Sequence, residues 1–136
     1  MTRVAIGHRA IRDLRVEIVV WDGDIGDAEI TEFLVALAAD PLWPSGQLNL
    51  TDLTTAGHVA ALDRDLVAEL IEGLSNIRIA VVAPHGSTGA TQFQRLVAPR
   101  GTELSVHADV SSACAWLGID AAVCEQTLAA IRRALG

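Results

Sequence analysis

The chain has 136 residues, 51% hydrophobic and 20% charged, with a formal net charge of -7. That length suits one domain with a sizeable core, and the balance excludes a disordered chain. The acidic balance disfavours nucleic acid, and the absence of lysine and tyrosine removes Schiff-base chemistry and the lysine of a phosphate-binding loop.

Two β-rich runs open the chain, RVAIGH (Arg3–His8) and RVEIVVW (Arg15–Trp21). Their short connection predicts an antiparallel hairpin. After the turn DGDIG, Ile30, Phe33, Leu34 and Leu37 recur at the spacing of one helix face. Gly26 suits the N-cap with Glu29 at N3, and Asp40-Pro41 stops the helix. The next strand, GQLNLTDL (Gly46–Leu53), sets Leu48 and Leu50 against Gln47, Asn49 and Thr51. A helix follows over Asp63–Ser75, with Leu66, Leu70 and Leu74 as its stripe. Asp63, Asp65, Glu69 and Glu72 form its solvated side. IRIAVVAP (Ile77–Pro84) reads as a buried strand ended by proline.

GSTGATQFQRLVAPRG places Phe93, Leu96 and Val97 on a short helix closed by Pro99 and Gly101. TELSVHAD (Thr102–Asp109) is a strand with Leu104 and Val106 opposite Glu103, Ser105 and His107. Asp109 caps the next helix and Gly118 ends it. The last helix carries Cys124, Leu128, Ile131 and Leu135 in one stripe. Cys114 and Cys124 form no C-x-x-C pair and read as buried thiols. Arg9, Arg12 and Arg15, and the pair Arg132-Arg133, read as solvated cations.

The order ββαβαβαα defines an α/β protein with a mainly parallel sheet and an antiparallel first strand. Two of its strands have one polar side, which predicts a sheet face that is poorly covered or covered by something polar. That face, with the apolar stripe of the last helix, predicts a homodimer. No apolar run reaches ~18 residues, so no membrane span is expected. The opening residues lack the apolar core of a secretory signal, so a soluble cytoplasmic protein is expected.

Laid out this way, the sequence resembles the STAS superfamily, the fold of bacterial anti-sigma-factor antagonists. It is most similar to the SpoIIAA-like branch. The matching residues are VEIVVWDGDIGDAEITEFLVAL (Val16–Leu37), LNLTDLTT (Leu48–Thr55), the strand-proline IAVVAP and the ending VHADVSSACAWL (Val106–Leu117). The likeness runs from Arg3 to Leu117. It implies a STAS-like α/β domain over 1-118 and a C-terminal helix over 119-136 packed on that domain. It also implies a STAS/SpoIIAA-like βα superhelix, shared with CRAL-TRIO lipid-transfer domains. Regulatory members carry a phosphorylated serine in a D-S-S-G segment after a strand end. Aligned on Asp52-Leu53-Thr54, that segment falls near Ala60, Ala61, Leu62 and Asp63, none of which is serine. The resemblance therefore implies a member without the serine phosphoswitch.

Two strand-end loops hold the candidate ligand-binding residues. They are Asp52, Thr54, Thr55 and His58 in the first, and His85, Gly86, Ser87 and Thr88 in the second. Asp52 and the threonines equally suit a turn. Ser87 or Thr88 suits a helix cap, where free N–H groups hold an anion. There is no G-x-x-x-x-G-K-[ST] loop and no G-x-S-x-G elbow. His58, His85 and Asp52 make a weak metal set, so neither a metal nor another cofactor is expected. No catalytic residue stands out. The reading is a non-enzymatic STAS-like binding or regulatory module for a protein partner. The alternatives are a carrier of a small apolar or lipid-like ligand, or a small-anion-binding protein.

Overall fold

The computed structural model describes residues 6–39, 48–59 and 77–136. Its strands are β1 (Ile6–Ile11), β2 (Val16–Trp21), β3 (Gly23–Ile25), β4 (Leu48–Asp52), β5 (Ala56–Val59), β6 (Arg78–Val82) and β7 (Glu103–His107). Its helices are α1 (Asp27–Ala39), α2 (Thr88–Val97), α3 (Val110–Leu117) and α4 (Ala121–Leu135). The helix expected over Asp63–Ser75, with its acidic side, lies outside the described residues.

β1 and β2 form the expected antiparallel hairpin, in register from Ile6 opposite Trp21 to Ile11 opposite Val16. β1 runs on past His8, so the connection is only a 3-10 turn over Arg12–Leu14. Arg15 closes that turn in the left-handed region, at φ 53. The main sheet has the order β1-β2-β4-β6-β7, and every pair after the first is parallel. The shorthand ββαβαβαα counts four strands where the main sheet has five. It also lacks a second, two-stranded sheet in which β3 and β5 pair in parallel. The residues read as the turn DGDIG and as a Thr-Ala-Gly-His loop supply those two strands.

The local signals explain the helices. The Gly26 N–H donates to the Glu29 carboxylate at 3.0 Å, the return bond of a capping box. The Asp109 carboxylate accepts from the Ser112 N–H at 2.7 Å, and Gly118 ends α3 at φ 76. Asp120 accepts from the Ala122 N–H at 2.8 Å and starts α4.

Two cores sit on opposite faces of the main sheet. On one, Val16, Ile18, Val20, Leu50, Ala80 and Val82 meet Ala113, Cys114 and Leu117 of α3 and Cys124, Leu128 and Ile131 of α4. On the other, Ile79, Val81 and Leu104 meet Ala90 and Val97 of α2, with Phe33 of α1 alongside. The stripe of the last helix is therefore filled by its own sheet. A homodimer must use another surface.

Part of the strand polarity lies inside the fold. Glu17 and Asn49 are buried, at 2% and 4% exposure. Glu17 pairs with His8 Nδ1 at 2.6 Å, and Asn49 accepts from the Thr51 hydroxyl at 2.6 Å. On the polar side of β4, buried Asn49 is thus satisfied by half-buried Thr51.

Among the described residues, no helix is long and apolar enough to cross a membrane.

Candidate functional site

The parallel strands bring their C-terminal ends together, and backbone bonds stitch the loops that follow. The Leu53 N–H donates to the Val82 carbonyl and the Ala83 N–H to the His107 carbonyl, each at 2.8 Å. The Gly23 N–H donates to the Thr55 carbonyl at 3.0 Å. The two candidate loops therefore leave the sheet side by side, as consecutive βα units predict. Thr54, Thr55, His85, Gly86 and Thr88 are exposed, and Ser87 is half-buried.

Asp52 differs from its neighbours. It is 1% exposed. One carboxylate oxygen accepts from the Thr54 N–H at 2.9 Å and from the Thr54 hydroxyl. The other accepts from the Arg132 guanidinium in the last turn of α4. Asp52 thus shapes the turn and anchors α4. Beyond the turn, the chain enters β5 rather than remaining a loop, and His58 lies within that strand. The His58 side chain lies outside the described residues.

The second loop turns at Gly86, at φ 79, whose N–H donates to the Ala83 carbonyl at 2.9 Å. Left-handed backbone favours glycine there. Ser87 is the N-cap of α2, and its hydroxyl accepts from the Ala90 N–H at 3.1 Å. Thr88 is the first helical residue. Ser87, Thr88, Thr91, Gln92 and Arg95 line a shallow polar depression beside this cap. Hydroxyls, an amide and a guanidinium together suit a small anion.

The structure adds partners that the sequence did not suggest. Arg132 had read as a solvated cation, yet it binds a buried carboxylate. His107 shares a 3.0 Å hydrogen bond with the Ser112 hydroxyl, and its ring lies 5.8 Å from that of Trp116. Arg78 stacks on the same Trp116 ring, 4.1 Å from its centroid. Arg78 also pairs with Glu103 at 3.5 Å.

Cys114 and Cys124 are buried and free. Burial pushes the Cys114 thiol up to about 12, helped by its hydrogen bond with Cys124 and by nearby carboxylates. Burial also raises Cys124, against the opposing effect of the bond to Cys114. Both stay protonated thiols at neutral pH, which makes them poor nucleophiles. Among the described residues, no three His, Cys, Asp or Glu side chains cluster closely enough to hold a metal.

No family model and no curated protein matches this chain. A solved structure does match, that of an uncharacterized protein of the DUF3478 family from Shewanella loihica PV-4, which has a SpoIIAA-like fold. The match covers 83% of this chain and 92% of that one, with a TM-score of 0.56 and 17% identity. The fold is SpoIIAA-like. At that identity the likeness concerns the fold alone, and function has to be argued from the site. In this SpoIIAA-like chain, the positions aligned with the regulatory serine segment, Ala60 to Asp63, lie outside the described residues.

Proposed function

We propose that this SpoIIAA-like chain is a non-enzymatic binding module that docks a protein partner on its strand-end surface, without a serine phosphoswitch. Thr54, Thr55, His85, Gly86 and Thr88 would supply the contacts. The observation that carries this reading is the contrast between Asp52 and its neighbours. The carboxylate is buried and held by Arg132 and Thr54, while Thr55 and His85 on the strand-end loops face solvent. A general base needs a carboxylate or imidazole positioned on a reacting proton. Here the carboxylate serves the fold, and what remains is a set of hydrogen-bonding groups on stitched loops, which suits docking. Buried free thiols suit a reducing compartment such as the cytoplasm.

A second reading rests on the depression at Ser87, Thr88, Thr91, Gln92 and Arg95, whose donors suit a small anion.

The test is affinity purification from the native host, with wild type and a Thr55→Glu/His85→Glu variant, followed by native mass spectrometry. The expected result is a protein retained stoichiometrically by wild type and lost from a variant of unchanged melting temperature. Equal retention by both proteins would move the docking surface elsewhere. A bound lipid in place of a protein would establish the carrier alternative.

A further inference from the structure

β7 is the last strand of the main sheet, and among the described residues no strand lies beyond it. In a parallel ladder, alternate residues turn their backbone groups toward a given neighbour. The Glu103 N–H donates to the Ile77 carbonyl at 2.9 Å, and the His107 carbonyl accepts from the Ala83 N–H at 2.8 Å. Glu103, Ser105 and His107 therefore bond inward, toward β6. Leu104 and Val106 turn their N–H and C=O groups outward. One outward group is already met, since the Leu104 carbonyl accepts from the Gln94 side-chain amide of α2 at 2.8 Å. Val106 is 38% exposed, which is high for a large apolar residue in a strand.

We propose that the β7 edge pairs with the β7 edge of a second copy of this chain, antiparallel about a two-fold axis at Ser105. This goes beyond the docking reading and does not depend on it. Four features favour that occupant. In this register Glu103 lies opposite His107 of the second copy, so no like charges face each other. Leu104 faces Val106 of the second copy, apolar opposite apolar. The outward N–H and C=O of each Leu104 meet those of the opposing Val106, the self-complementarity that a two-fold interface requires. Sliding the axis to Val106 would instead set Glu103 against Asp109, acid against acid.

The opposite edge of the sheet is a poorer match. The only charged or titratable side chains of β1 are His8 and Arg9, so self-pairing there sets base against base. Gln94 tempers the β7 contact, because it holds in the monomer a carbonyl that the dimer also uses. Capping an edge in this way is a common guard against uncontrolled pairing. The dimer is therefore a moderate one that dissociates on dilution.

Sedimentation equilibrium of the full chain tests this from about 1 to about 300 µM. Wild type is expected to shift from monomer to dimer within that range. Val106→Pro removes only an outward N–H, which β6 does not use, so β7 survives and proline is tolerated on such an edge. It should weaken the dimer about tenfold or more, as should Val106→Lys, which keeps the backbone donor and tests the side chain. Gln94→Ala should tighten the dimer by several-fold, since the Leu104 carbonyl is released. Wild type that stays monomeric at the highest concentration overturns the proposal. So does a dimer that neither Val106 variant weakens.

Discussion

Replacing Arg132 with methionine removes the cation that faces Asp52 while keeping most of the side chain's apolar stem. Breaking a fully buried ion pair by removing one partner costs about 3–5 kcal/mol, because the remaining charge is left uncompensated. Here Asp52 is 1% exposed but the Arg132 side chain is 36% exposed, so water can reach the vacated side. Asp52 also keeps the Thr54 N–H and hydroxyl. Both facts reduce the cost, to about 2 kcal/mol. For a domain of this size that is a drop of about 6–10 °C in Tm. Asp52→Asn should also destabilise, because an amide N–H₂ then faces the guanidinium. The double variant should recover part of the loss, with a coupling of about 1–2 kcal/mol in a double-mutant cycle. Urea unfolding followed by tryptophan fluorescence measures all four proteins. A coupling below about 0.5 kcal/mol, the value of an exposed pair, would refute the claim that this bond anchors α4 to the strand-end loop.

Ser87→Ala should cost about 1 kcal/mol through the lost cap, whereas Thr88→Ala should stay within about 0.5 kcal/mol. Thermal melts separate the two. Gly7→Ala should cost about 1–3 kcal/mol, because a Cβ there would lie 2.7 Å from Ile131 Cγ2 in a packed core. A melt like wild type would show that the core yields. The alkaline limb of stability should belong to the cysteines. Folding raises the Cys114 thiol from 9.0 to about 12, so its contribution is complete below 9.0 and is lost as pH climbs toward about 12. With no lysine or tyrosine in the chain, few other groups titrate in that window. A Cys114→Ala/Cys124→Ala variant should therefore lose most of the slope in urea midpoints measured above pH 9.0. An unchanged slope would place its origin elsewhere.

What the sequence made legible was local. Gly26 with Glu29, the Ser87 cap, Asp109 and Gly118 all occupy the places that their chemistry suggests, because a cap is decided within four residues. The hairpin and the stripe of α4 are legible for the same reason. A stripe does not say what it will bury against, however. The apolar side of α4 is as compatible with a second copy as with its own sheet, and the packing of Ile131 at Gly7 decides the matter. Long-range pairs leave still less trace. Arg132 and Asp52 are 80 residues apart, and nothing near either one marks the other. β3 and β5 are three and four residues long, too short for an alternation signal, and each reads as a turn until its partner is known. Glu17 did leave a signal. A carboxylate between Val16 and Ile18 in a central strand needs a hydrogen-bonding partner, and His8 across the hairpin supplies it.

The candidate surface is therefore shaped by residues outside it. The chain after β4 is fixed at its start by Asp52, which α4 holds through Arg132, and at its end by β5, which β3 holds. Thr54 and Thr55 lie between those two supports. On α4, Ile131 packs beside Gly7 of β1, and the next residue reaches Asp52. A continuous set of contacts thus runs from the first strand through the last helix to the strand-end loop. A loop held this way has little freedom left to lose when a partner docks, and less lost freedom means tighter binding for the same contacts. On this argument the C-terminal helix completes the core and also preorganises the proposed docking surface.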